Sequence, residues 1–264
     1  MVGVSGNKVK LLPTDTKDET LASPSLFRIS VAHLLLIGFS IPHIALAYFL
    51  IMTLLTDFEN SNYTHCNVIN VIPSISAVAK SQQTSLRVAT WLHFPFRLLA
   101  IRLYCSYFRR KLARPVRSIG YLAVWFLILE TLGSLVLSQT AQIGGEEPVH
   151  LLAAGLIWIS GCLFMATTFV CYKYYHRDMM EPMEELSFKV KTRLVYTYFC
   201  STLIMWFWYF VHNAVCLPFA YSVFSLCEYV TIWTMMSYTW TCYFDFYHVY
   251  LMYSPKMGYF MSEI

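Results

Sequence analysis

Six apolar stretches alternate with short polar ones along the chain, at about 31–55, 86–108, 119–138, 149–172, 194–211 and 219–244. The shortest, 194–211, is 18 residues, and about 20 apolar residues are what a helix needs to cross a bilayer. Backbone groups in lipid must be satisfied within the segment, so spans of this kind are helices. The pattern therefore predicts an all-α polytopic membrane protein, a bundle of six transmembrane helices. Pro42 inside the first span removes a backbone donor and predicts a kink.

The polar intervals set the orientation. The interval 109–117 holds Arg109, Arg110, Lys111, Arg114 and Arg117, and 173–193 holds Lys173, Arg177, Lys189, Lys191 and Arg193. Lys and Arg mark the cytosolic side. The intervening loops are nearly free of them: 56–85 has only Lys80, 139–148 has two glutamates, and 212–218 has none. Both termini are thus expected in the cytosol, with a polar tail over 1–28, a membrane domain over 29–248 and a short tail over 249–264. The first tail has no apolar core with a cleavage site, so no removable signal peptide is expected. Val2 excludes myristoylation, and the C-terminus has no prenylation box.

Composition agrees. The 264 residues are 57% hydrophobic and 17% aromatic, with only 13% charged and a mean hydropathy of +0.51. Soluble domains carry about 25% charged residues. The formal net charge of +4 comes from residues beside the spans and gives no reason to expect nucleic acid. There is no internal repeat or glycine-rich phosphate loop, and no linker divides the membrane domain.

Few residues carry candidate chemistry. Cys66 and Cys216 fall in non-cytosolic loops; if that side is a secretory lumen they pair as a disulfide, and otherwise they are two free thiols. Asn62-Tyr63-Thr64 is a glycosylation acceptor pattern with Asn62 as the site. No cysteines have zinc spacing, and neither metal nor cofactor is expected. Tyr and Trp crowd the last two spans and read as headgroup-level belts, with Trp233 deep enough to line a lipid groove.

Arg97 is the most costly residue to insert. It lies near the middle of the second span, where even lenient scales charge about 2.5–3.5 kcal/mol for it. His93 is one turn away on the same face. At 1.5 Å per residue, His93 lies roughly 10 Å and Arg97 roughly 16 Å below the lumenal surface. Glu130, on the antiparallel third span, lies at the depth of Arg97 and is its expected partner. Glu228 lies near the level of His93, His212 and Asn213 cap the fifth span, and Asp245 sits apart at the cytosolic rim. Such a set can be a structural network across helices, a site for a lipid headgroup with phosphate on Arg97, or an acid–base site using His93 or His212.

Thr64-His65-Cys66, Pro73-Ser74-Ile75-Ser76, Leu92-His93 with Arg97, and Glu130 resemble the post-GPI attachment to proteins factor 2 family. So does the run His212-Asn213, Cys216, Tyr221, Phe224, Glu228-Tyr229 and Asp245-Phe246. The resemblance covers nearly the whole chain after Arg28. It differs in placing Pro95 two residues before Arg97, and in a longer N-terminal stretch. The resemblance implies a multi-pass protein of the Golgi or endoplasmic-reticulum membrane, acting in fatty-acid remodelling of GPI anchors at the reacylating step. Its partners would be the GPI anchor or lyso-GPI and either an acyl donor or a partner acyltransferase. Arg97, Glu130, Asn213 and Glu228 would hold the lipid, and His93 or His212 would be the base if the chain is catalytic. The wider family includes autophagy modulators, so the alternative is a non-catalytic adaptor or regulator of a lipid enzyme, working through the basic loops.

Overall fold

The computed structural model describes residues 27–140, 147–174, 180–255 and 258–263. The N-terminal polar tail up to residue 26, the loop glutamate Glu146, Arg177 and Lys256 lie outside the described residues. The backbone divides into two units, one comprising the strands near the two ends and the other running from Val31 to Tyr247.

The strand unit is a three-stranded antiparallel sheet in the order β1 (Phe27–Ser30), β2 (Val249–Ser254), β3 (Gly258–Glu263). Phe27 faces Tyr253 and Tyr253 faces Tyr259. The Arg28 guanidinium lies 3.7 Å over the Tyr250 ring. Gly258 takes φ +70°, a conformation that needs glycine. Hydropathy gave no sign of these strands, because each is too short for its period-two alternation to stand out.

The helical unit holds α1 (Val31–Thr56), α2 (Phe58–Asn62), α3 (Ile75–Ser81), α4 (Gln83–Lys111), α5 (Arg117–Gln139), α6 (Glu147–Tyr174), α7 (Pro182–Val215), α8 (Ala220–Trp240) and α9 (Cys242–Asp245). Every expected span falls in one of the six long helices, except that 219–244 is divided between α8 and α9. The segments Val31–Thr56, Arg114–Gln139, Pro148–Tyr174 and Pro182–Val215 are long and apolar enough to cross a membrane. The chain is an all-α membrane protein with a small added sheet. Neighbours in sequence pack as hairpins, α5 on α6 and α7 on α8, while α4 contacts both α1 and α5. Gly133 allows the α5–α6 approach, since a Cβ there would lie 2.9 Å from Ile157 Cγ1.

The largest departures from the hydropathy reading are at the start of α7 and in the first loop. α7 begins twelve residues before the expected 194, because Glu181 and Glu184 form a reciprocal capping box and Pro182 occupies the first turn. At 34 residues it is about 51 Å long, so Lys191 belongs to the helix and is buried rather than sitting in a cytosolic loop. The first loop also contains helices. Ser74 caps α3, its Oγ accepting from Ala77 N–H at 3.2 Å.

Gly38 supports the α1–α4 contact. A Cβ at this position would overlap the Cβ, Cγ and Cδ1 atoms of Phe96. Gly38→Ala should therefore cost about 1–3 kcal/mol, the usual range for overpacking, read as a lowered unfolding midpoint in detergent. A wild-type midpoint would mean that the contact yields without penalty.

Candidate functional site

Pro42 starts the site. In a helix the N–H of residue 42 would bond to the carbonyl of residue 38, and proline has none to give. The freed Gly38 carbonyl is taken by His93, whose Nδ1 lies 2.9 Å from it. A carbonyl can only accept, so Nδ1 carries the proton and Nε2 the lone pair. Arg97 Nε donates to that lone pair at 2.8 Å, and Arg97 Nη2 donates to Glu130 Oε1 at 2.7 Å. The result is a directed chain from an α1 carbonyl through His93 and Arg97 on α4 to Glu130 on α5.

All three side chains are buried: His93 is 8% exposed, Arg97 7% and Glu130 1%. Two strong hydrogen-bonding atoms remain without a partner among the described residues, Arg97 Nη1 and Glu130 Oε2. Buried polar atoms are nearly always satisfied, so an exception asks for a reason.

Both residues line a cavity of about 230 Å³, together with His93 and Glu228. Most of the wall is apolar, including Leu46, Phe49, Leu137, Ile157 and Ile232. Trp158 is the tryptophan that lines it; Trp233 does not. Thr90, Ser134 and His150 also face it and had given no signal in the sequence. The lining comes from the halves of α1, α4, α5 and α6 nearest the loops 56–85 and 139–148, which are poor in Lys and Arg, and from the middle of α8.

The first of those loops forms part of the wall. Ile75, Ser76 and Ala79 of α3 line the cavity, and Ile75 N–H donates to Glu228 Oε2 at 2.9 Å. Val71 N–H donates to Ser222 Oγ at 2.8 Å and Phe219 N–H to the Ile69 carbonyl at 3.0 Å. A disulfide joins Cys66 to Cys216. Cys216 sits at φ 51°, in the left-handed region, so the bond fixes a turn that most residues avoid.

The remaining expected site residues lie elsewhere. His212 is buried beside the disulfide, its ring 5.3 Å from that of His65 and 5.2 Å from that of Tyr221. Its Nδ1 has no partner among the described residues, and it does not line the cavity. Asn213 is exposed, and its Nδ2 donates to the Tyr209 carbonyl one turn back at 2.8 Å. Asn62 is 7% exposed, and its Nδ2 donates to the Phe58 carbonyl at 3.0 Å.

Sequence reasoning missed a second buried cluster and placed one of its members, Asp245, at an isolated rim. Lys191 Nζ donates to Asp245 Oδ2 at 2.6 Å and to Ser187 Oγ at 2.6 Å. Ser187 Oγ donates to Asp245 Oδ1 at 2.6 Å, and Tyr104 OH to Oδ2 at 3.0 Å. The helical spacing of Ser187 and Lys191 was the available signal, masked by counting Lys191 as a loop residue.

Comparison with known proteins gives the following likenesses. The family described as Frag1/DRAM/Sfk1/Cwh43P N-terminal domain matches residues 30–249. The chain is 30% identical over 258 residues to "Post-GPI attachment to proteins factor 2" of Drosophila pseudoobscura pseudoobscura, covering 96% of this chain and 100% of that one. The Drosophila melanogaster protein of the same name is 30% identical over 241 residues, 90% of this chain and 94% of that one. "Acyltransferase PGAP2" of Xenopus tropicalis is 26% identical over 217 residues, 78% and 84% respectively. No solved structure matches.

Proposed function

The chain belongs to the Frag1/DRAM/Sfk1/Cwh43P N-terminal domain family, and on that premise we propose that it acts in the lipid remodelling of GPI anchors, at the step that restores an acyl chain. Near full-length likeness to proteins named for post-GPI attachment, and to one named an acyltransferase, supports this reading. The site observation that carries it is the mostly apolar cavity lined by Arg97 and Glu130, of which Arg97 Nη1 and Glu130 Oε2 have no partner among the described residues. A pocket that is mostly hydrocarbon-lined with a few convergent polar groups is what a lipid site requires.

In this proposal all six long helices cross the membrane with both termini cytosolic, as the distribution of Lys and Arg supports. The membrane is that of the Golgi or the endoplasmic reticulum. The halves of α1, α4, α5 and α6 that line the cavity then lie toward the lumenal leaflet, the one that GPI anchors occupy. His93 holds Arg97 in place: the Nε2 lone pair a base would use already accepts from Arg97. His212 keeps an unpartnered ring nitrogen and is the histidine whose loss tests proton transfer.

The test is purified protein in liposomes with lyso-GPI and a long-chain acyl donor, product being followed by mass spectrometry. Reacylation that disappears in His212→Ala, while folding is retained, is the expected result for a catalyst. Saturable lyso-GPI binding that is lost in Arg97→Ala, with no turnover by the wild type, would make the chain a lipid-presenting partner instead. The absence of both signals would sink the proposal and leave the adaptor reading, which substitution of Arg109, Arg110, Arg114 and Arg117 then tests.

A further inference from the structure

The directed chain that holds Arg97 also decides what the cavity takes. Arg97 spends Nε on His93 and Nη2 on Glu130 Oε1, which leaves Nη1 as a donor and Glu130 Oε2 as an acceptor. They belong to one ion pair whose two residues line a mostly apolar cavity, so the site has one unpartnered donor and one unpartnered acceptor. The complementary ligand carries an acceptor oxygen and a hydroxyl on the end of a hydrocarbon chain.

Charge weighs against the simpler expectation of a phosphate on Arg97. Arg97 and Glu130 line the cavity as an ion pair whose charges cancel, and His93 is held neutral by its two hydrogen bonds. An entering phosphate would find no uncompensated positive charge there. On Nη1 it would also sit beside the Glu130 carboxylate held by the same guanidinium, a carboxylate that is 1% exposed and so poorly screened. Glu228 gives no relief, since the donor it holds is the Ile75 N–H.

We propose that Arg97 Nη1 and Glu130 Oε2 bind the uncharged ester–hydroxyl end of a single-chain glycerolipid, its acyl chain lying along the apolar wall. The proposal rests on the reading above that this cavity is a lipid site, and it narrows that reading to one part of the lipid. The ester carbonyl accepts from Nη1, and the neighbouring hydroxyl donates to Oε2.

Trp158 on the wall supplies a reporter. The full chain in nanodiscs would be titrated with a monoacylglycerol carrying a dibrominated chain, and separately with an alkyl phosphate of the same chain. Tryptophan quenching is recorded in the wild type and in Trp158→Phe. The expected result is saturable quenching by the monoacylglycerol, mostly absent in Trp158→Phe, and no competition by the phosphate. Glu130→Gln, which replaces the free acceptor with an amide, should weaken binding about tenfold or more, the loss of one hydrogen bond to a charged group.

Tighter binding of the alkyl phosphate than of the monoacylglycerol would overturn the proposal while leaving the remodelling function intact. So would quenching by neither probe from a preparation that still reacylates lyso-GPI. Conversely, monoacylglycerol binding without reacylation would support this assignment and remove the catalytic one. The wild-type comparison of the two probes decides the matter even if Glu130→Gln does not fold.

Discussion

Replacing Glu130 by leucine should remove about 3–5 kcal/mol of stability, because it leaves a buried guanidinium without its counter-charge. Arg97 cannot escape by losing its proton, as arginine stays charged in proteins. Nor can it reach water easily, being 7% exposed at the middle of α4. The double variant Arg97→Met with Glu130→Leu should be far less destabilised, since it removes both charges and leaves well-sized apolar groups. His93→Ala should cost less than Glu130→Leu, because the acceptor it deletes is uncharged. Unfolding in detergent followed by circular dichroism measures all of these, and the double-mutant cycle gives the coupling between the pair. If Glu130→Leu and the double variant unfold at the same midpoint, the ion pair contributes no coupling and the site must be stabilised otherwise.

The Arg97–Glu130 pair was legible before any coordinates. Antiparallel spans and a fixed rise per residue put the two at one depth, and the cost of an unpaired arginine in lipid demanded a partner. Cys66 and Cys216 were legible in part, through the side of the membrane their loops face. The Gly38 carbonyl was not, because main-chain acceptors leave no mark in a sequence. Yet Pro42 lies four residues on, the spacing at which a proline frees a carbonyl, so the signal was present and went unused. Asn213 was misplaced for a different reason. Neighbouring residues on a helix point about 100° apart, so His212 turning inward sends Asn213 out. Helices α2 and α3 escaped because five and seven residues are too few for apolar periodicity to declare itself. Lys191 escaped because the rule that sorts loops by charge counts every lysine as exposed.

Lys191 leads to the second large effect. Asp245→Leu should destabilise the protein by about 3–5 kcal/mol, and Lys191→Met with Asp245→Leu should recover most of that loss. The side chains are 1% and 0% exposed, and Asp245 accepts from Lys191, Ser187 and Tyr104. It therefore joins α4, α7 and α9 through a single carboxylate. Here the resemblance to Arg97–Glu130 ends. Among the described residues both Asp245 oxygens have partners, whereas Glu130 and Arg97 each keep one atom free. Neither Lys191 nor Asp245 lines the cavity. A closed cluster fixes helices and an open one presents groups to a ligand, so the two should separate in experiment. Asp245→Asn should lower the unfolding midpoint yet leave monoacylglycerol quenching of the folded fraction unchanged. Glu130→Gln should weaken that quenching even where the midpoint moves little. Loss of lipid binding in folded Asp245→Asn protein would show that the lock and the cavity act as one element, and that the helix ends around the cavity are set from the far side of the bundle.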